Sequence, residues 1–145
     1  DIVQLTNNKL LDLLLSKYSA LCNNNNIKLN IEVRTANLDH ISDTDLSMII
    51  NNLMDNAFES AKKSKEKVID FSLIRVNFDI LKVSNSCDTP PIDNAHKLLT
   101  TKKSKAEHGL GTRIIEKYAK KNNAEYEWLY ENDKKLFITT IIFKH

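Results

Sequence analysis

Asn52 and Asn56 are the first residues in this 145-residue chain whose type and spacing suggest chemistry. In the stretch SMIINNLMDNAFESA, residues 47–61, a helical reading aligns Asn52, Asn56, Glu59 and Lys63 on one side. Leu46, Ile49, Ile50, Leu53, Met54, Ala57, Phe58 and Ala61 form an apolar stripe on the other. A solvated helix face normally carries Lys and Glu, which have higher helix propensity than Asn. Two aligned asparagines therefore need a partner, either a neighbouring loop or a ligand. Their amide oxygens are hard donors of the kind that suits Mg²⁺, an ion usually shared between protein and phosphates.

Two further features belong with that row. Gly109 and Gly111 are the only two glycines in the chain and share one tripeptide, whereas average usage would give about ten. They open a helical pattern, and the free amides of a helix N-terminus favour anions such as phosphate. Lys102 and Lys103 precede them and supply compensating positive charge. Asn85 ends a strand-like run in which Leu81, Val83 and Asn85 share a face by period two, so an amide closes an otherwise core-facing row. Phosphate site, metal donor and lysine-bearing connection are the parts of a nucleotide site. Taken singly, each has a plainer reading: a helix face bonded to a loop, a tight turn, a solvated charge run.

The elements that would hold these residues follow from periodicity. Residues 8–22 read as an amphipathic helix on Leu10, Leu11, Leu14, Leu15 and Tyr18, ending at the Asn23 to Asn26 run. Residues 28–36 alternate as a half-buried strand. Ser42, with Asp45 three residues on, caps a long helix from about Asp43, and Lys62, Lys63 and Lys65 suit its C-terminal end. Two β-rich runs, 68–76 and 78–85, form a hairpin. A polar stretch to His108 has the prolines and little apolar periodicity, which suits a lid over a site. A helix beginning at the glycine tripeptide and a last hairpin, AEYEWLYE with LFITTIIF, complete the chain. Tyr126, Trp128 and Tyr130 alternate as sheet packing. The expected fold is α+β: a two-layer sandwich with helices on one face of a mixed, mostly antiparallel sheet.

Composition excludes more than it selects. Hydrophobic residues at 41%, charged residues at 28% and a net charge of +2 describe an ordinary globular domain with no electrostatic bias towards nucleic acid. Two unpaired-spacing cysteines, Cys22 and Cys87, and four scattered histidines provide neither a disulfide framework nor a metal cage, and favour a reducing interior. No run is long and apolar enough for a membrane span.

The motif order resembles the GHKL ATPases, and within them the ATP-binding domain of sensor histidine kinases. NNLMDNA stands as the asparagine box, VSNSCD in place of the first glycine box, TTKK before the end of the lid, and HGLGTRIIEKY as the second glycine box. The Asn at the adenine-reading position, the Thr-Lys element and the His-Gly-x-Gly start of the last helix are similar to the quorum-sensing branch typified by AgrC and VirS. The resemblance implies a Bergerat-type fold that binds ATP with Mg²⁺. Asn56 would hold the ion and Asn52 would support it or the phosphates. Asn85 would face the adenine amino group, Lys102 would touch phosphate, and Gly109 with Gly111 would let backbone amides approach the phosphates. Residues 1–26 would lead in from an absent dimerisation domain, and 27–145 would be the catalytic domain, with a lid at about 87–109. Implied partners are phosphoacceptor dimerisation helices outside this chain and a response regulator, in a membrane-anchored homodimer whose kinase part is cytoplasmic.

The sequence departs from that pattern in places. SNSCDTP has none of the glycines of the usual first box, and Thr112 stands where the second box usually has Leu. None of the four histidines has the context of a phosphoacceptor. The missing glycines keep open a second reading, a degenerate nucleotide-binding or docking module that signals by conformation. A serine kinase of the anti-sigma kind fits less well because its lid motifs differ.

Overall fold

A computed structural model of the chain describes residues 6–91 and 110–144. In order, the elements are α1 (Lys9–Asn24), β1 (Lys28–Arg34), α2 (Asp43–Lys63), β2 (Val68–Arg75), β3 (Asp79–Ser86), α3 (Leu110–Lys121), β4 (Ala124–Glu131) and β5 (Leu136–Phe143). The strands make one five-stranded sheet in the order β1-β2-β3-β5-β4. β1 and β2 are parallel, which requires the long crossover that α2 supplies. The other pairs are antiparallel, so the sheet is mixed and mostly antiparallel, as the alternation of short β-rich runs implies.

Period-two alternation decides which face the helices cover. Ile69, Phe71 and Leu73 of β2 and Leu81 and Val83 of β3 are buried, while Asp70 and Lys82 between them are exposed. Leu46, Ile49, Ile50, Leu53, Met54, Ala57 and Ala61 of α2 join them in a single core. Each Leu, Ile or Met among them contributes about 1.5–3 kcal/mol by leaving water, so the stripe on α2 anchors that helix to the sheet. Register sets Leu29, Ile69, Asn85 and Phe137 side by side across four strands. Asn85 is thus an amide within an otherwise apolar row.

Local chemistry sets the ends. Asn8 and Ser42 cap α1 and α2, each accepting the amide of the residue three positions on. The asparagine run does not simply end α1. Asn23 and Asn24 complete the helix, Asn25 returns its amide nitrogen to the Leu21 carbonyl at 2.8 Å, and Asn26 turns the chain at φ 58°. Asparagine tolerates that left-handed backbone better than most residues. Thr35, at φ 58°, ends β1 two residues before the expected boundary.

Polar ties lock the helices together. The buried Tyr18 of α1 places its hydroxyl 2.7 Å from Asp55 Oδ1 and 3.0 Å from Asn51 Oδ1 of α2. Burial, followed by that bond to Asp55, pushes the phenol above its ordinary range. Asp45, in the first turn of α2, is 3% exposed and receives Lys121 Nζ at 3.0 Å and Asn122 Nδ2 at 3.1 Å from the end of α3. Among the described residues no helix is long and apolar enough to cross a membrane.

Burial pushes the Asp45 carboxyl up, but the Asn122 amide, the Lys121 ammonium and the Ser42 hydroxyl outweigh it and hold the group below the usual carboxylate range. A folded value below the unfolded value of about 3.9 means stability that is present above that pH and lost as pH falls through the folded value. Asp45→Asn should therefore lower the thermal midpoint by several degrees at pH 7, with the gap to the parent closing on acidification below pH 4. A gap independent of pH would show that the carboxylate charge contributes nothing.

Candidate functional site

Asn52, Asn56 and Gly111, three of the residues singled out from sequence, meet in space. α3 runs antiparallel to α2, because its last turn reaches Asp45 while its first turn lies on the asparagine row. A Cβ on Gly111 would stand 3.3 Å from both Nδ2 and Oδ1 of Asn56 and 3.5 Å from Oδ1 of Asn52. The glycine here sits in helical backbone, so space, not a left-handed turn, is what it supplies.

The two asparagines differ in what they have free. Asn52 donates Nδ2 to the Met48 carbonyl at 2.6 Å, which leaves its Oδ1 turned towards α3. Asn56 is half-buried and its side chain makes no hydrogen bond among the described residues. Among the described residues no buried side-chain nitrogen or oxygen lacks a partner, so the unbonded Asn56 amide is one that solvent, or a ligand, can reach. Asn56 is therefore the member of the row best placed to take an external ligand. Glu59 is half-buried and makes no ion pair with Lys63 among the described residues, so the i,i+4 pairing that their spacing suggests does not form.

Asn85 closes the row of β3 next to Ser86, which meets Ser60 and Ser64 at the end of α2. It is 3% exposed and donates Nδ2 to the Ser86 carbonyl at 3.0 Å. Ser60 Oγ approaches the same carbonyl at 3.5 Å. The Ser86 hydroxyl lies 2.6 Å from that of Ser64 and 3.0 Å from the Val68 amide. Sequence reading missed this serine group, although Ser60 extends the row of Asn52 and Asn56 by one more step of four. Ser64 and Ser86 lie 22 residues apart and had no shared signal.

The segment after β3, which lacks glycines, is held by hydrogen bonds instead. Cys87 donates its amide to the Lys135 carbonyl at 2.8 Å and accepts the Tyr130 hydroxyl at its own carbonyl at 2.7 Å. The Asp88 carboxylate accepts the Lys65 amide at 2.9 Å, and Lys135 Nζ reaches the Asp88 carbonyl at 3.3 Å. Burial, with Cys87 and Asp88 close by, pushes the Tyr130 hydroxyl up, so it remains a donor across the ordinary pH range. Tyr130 is thus a tether for this segment as well as a packing residue. Lys102 and Gly109, together with Lys103 and His108, lie outside the described residues.

Overpacking the helix contact should be measurable. Gly111→Val should cost about 1–3 kcal/mol in urea unfolding, and the cost should shrink when Asn56→Ala is combined with it, because the clashing amide is gone. Equal costs in both backgrounds would mean that the two residues do not touch.

No curated protein matches the sequence. Solved structures do match in fold. They include the mycobacterial sensor histidine kinase MprB (14% identity, 93% of each chain covered, TM-score 0.67) and a nucleotide-free catalytic domain of histidine kinase ThkA (20% identity, 93% of this chain and 92% of that one, TM-score 0.65). The cytoplasmic segment of histidine kinase QseC matches at 18% identity over 94% of this chain and 73% of that one, with a TM-score of 0.61. At such identities the likeness fixes the fold alone, a five-stranded sheet with helices on one face. The sequence also matches a family model, described as GHKL domain, over residues 41–144, from just before α2 to the end of β5, and the chain belongs to that family.

Proposed function

We propose that this chain is the ATP-binding catalytic domain of a sensor histidine kinase, transferring the γ-phosphate of ATP to a histidine on a dimerisation domain outside the chain. The observation that carries the reading is the apposition of the uncommitted Asn56 amide, Asn52 Oδ1 and the start of α3 at Gly111. A hard oxygen donor beside a helix N-terminus is a place for a metal-bound polyphosphate. Likeness in fold to the three kinases supports the class of reaction.

Asn56 fits Mg²⁺, since its carboxamide oxygen is a hard donor with no bond to another described group, and an ion that retains waters and phosphate oxygens needs only one or two protein ligands. Bound there, the ion would neutralise charge on the phosphates during transfer. What the chain itself contributes is positioning. Asn52 and Asn56 orient the phosphate end, and α3 packs on them at Gly111, which places no side chain between. Asn85, near the other end of α2, offers an acceptor for the base amino group. Lys102 and Gly109 would add phosphate contacts on the strength of their motif positions alone. Catalysis of this kind consists mostly of alignment and charge placement.

The remaining assignments extend the same reading. Residues 1–26 lead in from the dimerisation domain, and Tyr18 links that helix to α2. The whole protein is a membrane-anchored homodimer with its kinase part in the cytoplasm. It passes phosphate to a response regulator and belongs to the AgrC/VirS-like quorum-sensing branch.

Asn56→Ala should weaken Mg²⁺-dependent binding of an ATP analogue by about 1.5–3 kcal/mol, roughly ten- to a hundredfold. Calorimetry with and without the ion reads it, and unchanged affinity removes Asn56 from the site. Supplying a histidine-bearing dimerisation domain with ATP should yield acid-labile phosphate on that domain. Bound ATP without such phosphate would favour the docking module.

A further inference from the structure

β4 forms one edge of the sheet and, among the described residues, pairs with β5 alone. Lys144 donates its amide to the Asn123 carbonyl at 3.4 Å, and bonded pairs in an antiparallel ladder recur at every second residue. Glu125, Glu127 and Leu129 therefore direct their backbone groups at β5, while the N–H and C=O groups of Tyr126, Trp128 and Tyr130 point outward. The strand runs eight residues with neither proline nor lysine, two residues that commonly blunt such an edge, and glutamates are its only charges.

An open groove of about 350 Å³ lies along that edge, lined by Glu116 of α3, by Tyr126, Glu127, Trp128 and Leu129 of β4, and by Ile138 of β5. Trp128, whose ring stacks on Phe137 with centroids 5.8 Å apart, and Leu129, 49% exposed, give it apolar surface. Tyr126 packs against the core, so Trp128 shares the helix side of the strand and Glu127 the open face. Glu125 and Glu131 pair with Lys144 and Lys134, whereas the exposed Glu116 and Glu127 enter no ion pair among the described residues.

We infer that this edge docks an extended protein segment carrying two adjacent basic residues, which adds to the sheet as a sixth strand beside β4. Main-chain bonds to Tyr126, Trp128 and Tyr130 hold the segment, and the groove selects its side chains. Successive side chains of a strand go to opposite faces, so one basic residue meets Glu127 on the open face. The other meets Glu116 and the Trp128 ring on the helix side. Charge decides against a second copy of this chain, because an antiparallel β4 would set its own glutamates beside these, like against like. The inference needs no bound nucleotide and stands apart from the reading of the asparagine row.

Trp128 is the chain's one tryptophan, so its emission reports on the groove directly. The probe is a short capped peptide of alternating threonine and valine with a central Lys-Arg pair, compared with a Glu-Glu counterpart and with a fully N-methylated form that has no amide donors. The Lys-Arg peptide should change the emission saturably at low salt and bind at least about tenfold more tightly than either comparison peptide. Glu116→Lys combined with Glu127→Lys, both at exposed positions, should reverse the preference in favour of the Glu-Glu peptide, with circular dichroism unchanged. No response to the Lys-Arg peptide overturns the inference, as do equal binding of the oppositely charged peptides, undiminished binding of the N-methylated form, and a well-folded double variant that keeps the parent's preference. Emission that varies with the chain's own concentration, without peptide, would assign the edge to a second copy and overturn it as well.

Discussion

Two helices closing on a row of amides is the constraint around which the molecule is built. α3 lies against Asn52 and Asn56 at a residue with no side chain, where even a methyl group would stand a tight 3.3 Å from the Asn56 amide and oblige it to shift. The other end of the same contact is fixed by charge, where Asp45 on α2 takes Lys121 and Asn122 from α3. Close approach at one end and an ion pair from the exposed Lys121 to the buried Asp45 carboxylate at the other fix both the spacing of the helices and their register along each other. The apolar stripe of α2 then holds the pair on the sheet. The polar row of α2 is left facing α3, with one amide uncommitted.

The end of α2 solves a different problem. A first box with glycines would let backbone approach a ligand through lack of side chains. Here the segment from Asn85 to Asp88 has none, and it is positioned by hydrogen bonds to Ser60 and Ser64, to the Lys65 amide, and to Tyr130 and Lys135 of the last hairpin. Such a network exchanges the freedom of glycine for fixed orientation. Asn85 gains a defined orientation from it, and the β4–β5 hairpin becomes structurally coupled to the site through Tyr130.

Much of this was legible because it is periodic. The stripe on α2, the alternation in β2 and β3, the Ser42 cap and the last hairpin all follow from spacings of 3.6 or 2 that are visible in the chain. The parallel pairing of β1 with β2 was not legible, since strand direction depends on how the crossover packs. Nor was the fate of the asparagine run, where two residues continued the helix and Asn26 took the turn. Glu59 and Lys63 have the spacing of an ion pair and form none among the described residues, whereas Arg75 and Asp79 form one, because spacing alone does not fix two long side chains when the Coulomb gain is small.

By itself, the sequence determined the secondary elements, the layer architecture and the candidacy of Asn52, Asn56, Asn85 and Gly111. Each of those depends on neighbours within a turn of helix or a few residues of strand. Only the tertiary structure decided that Gly111 touches the asparagine row, that Asn56 is the uncommitted amide while Asn52 is bonded to Met48, and that Ser60, Ser64, Ser86 and Tyr130 belong to the site's support. Contacts between residues 22 to 59 positions apart depend on how helices and strands pack in three dimensions, and no local spacing encodes that geometry.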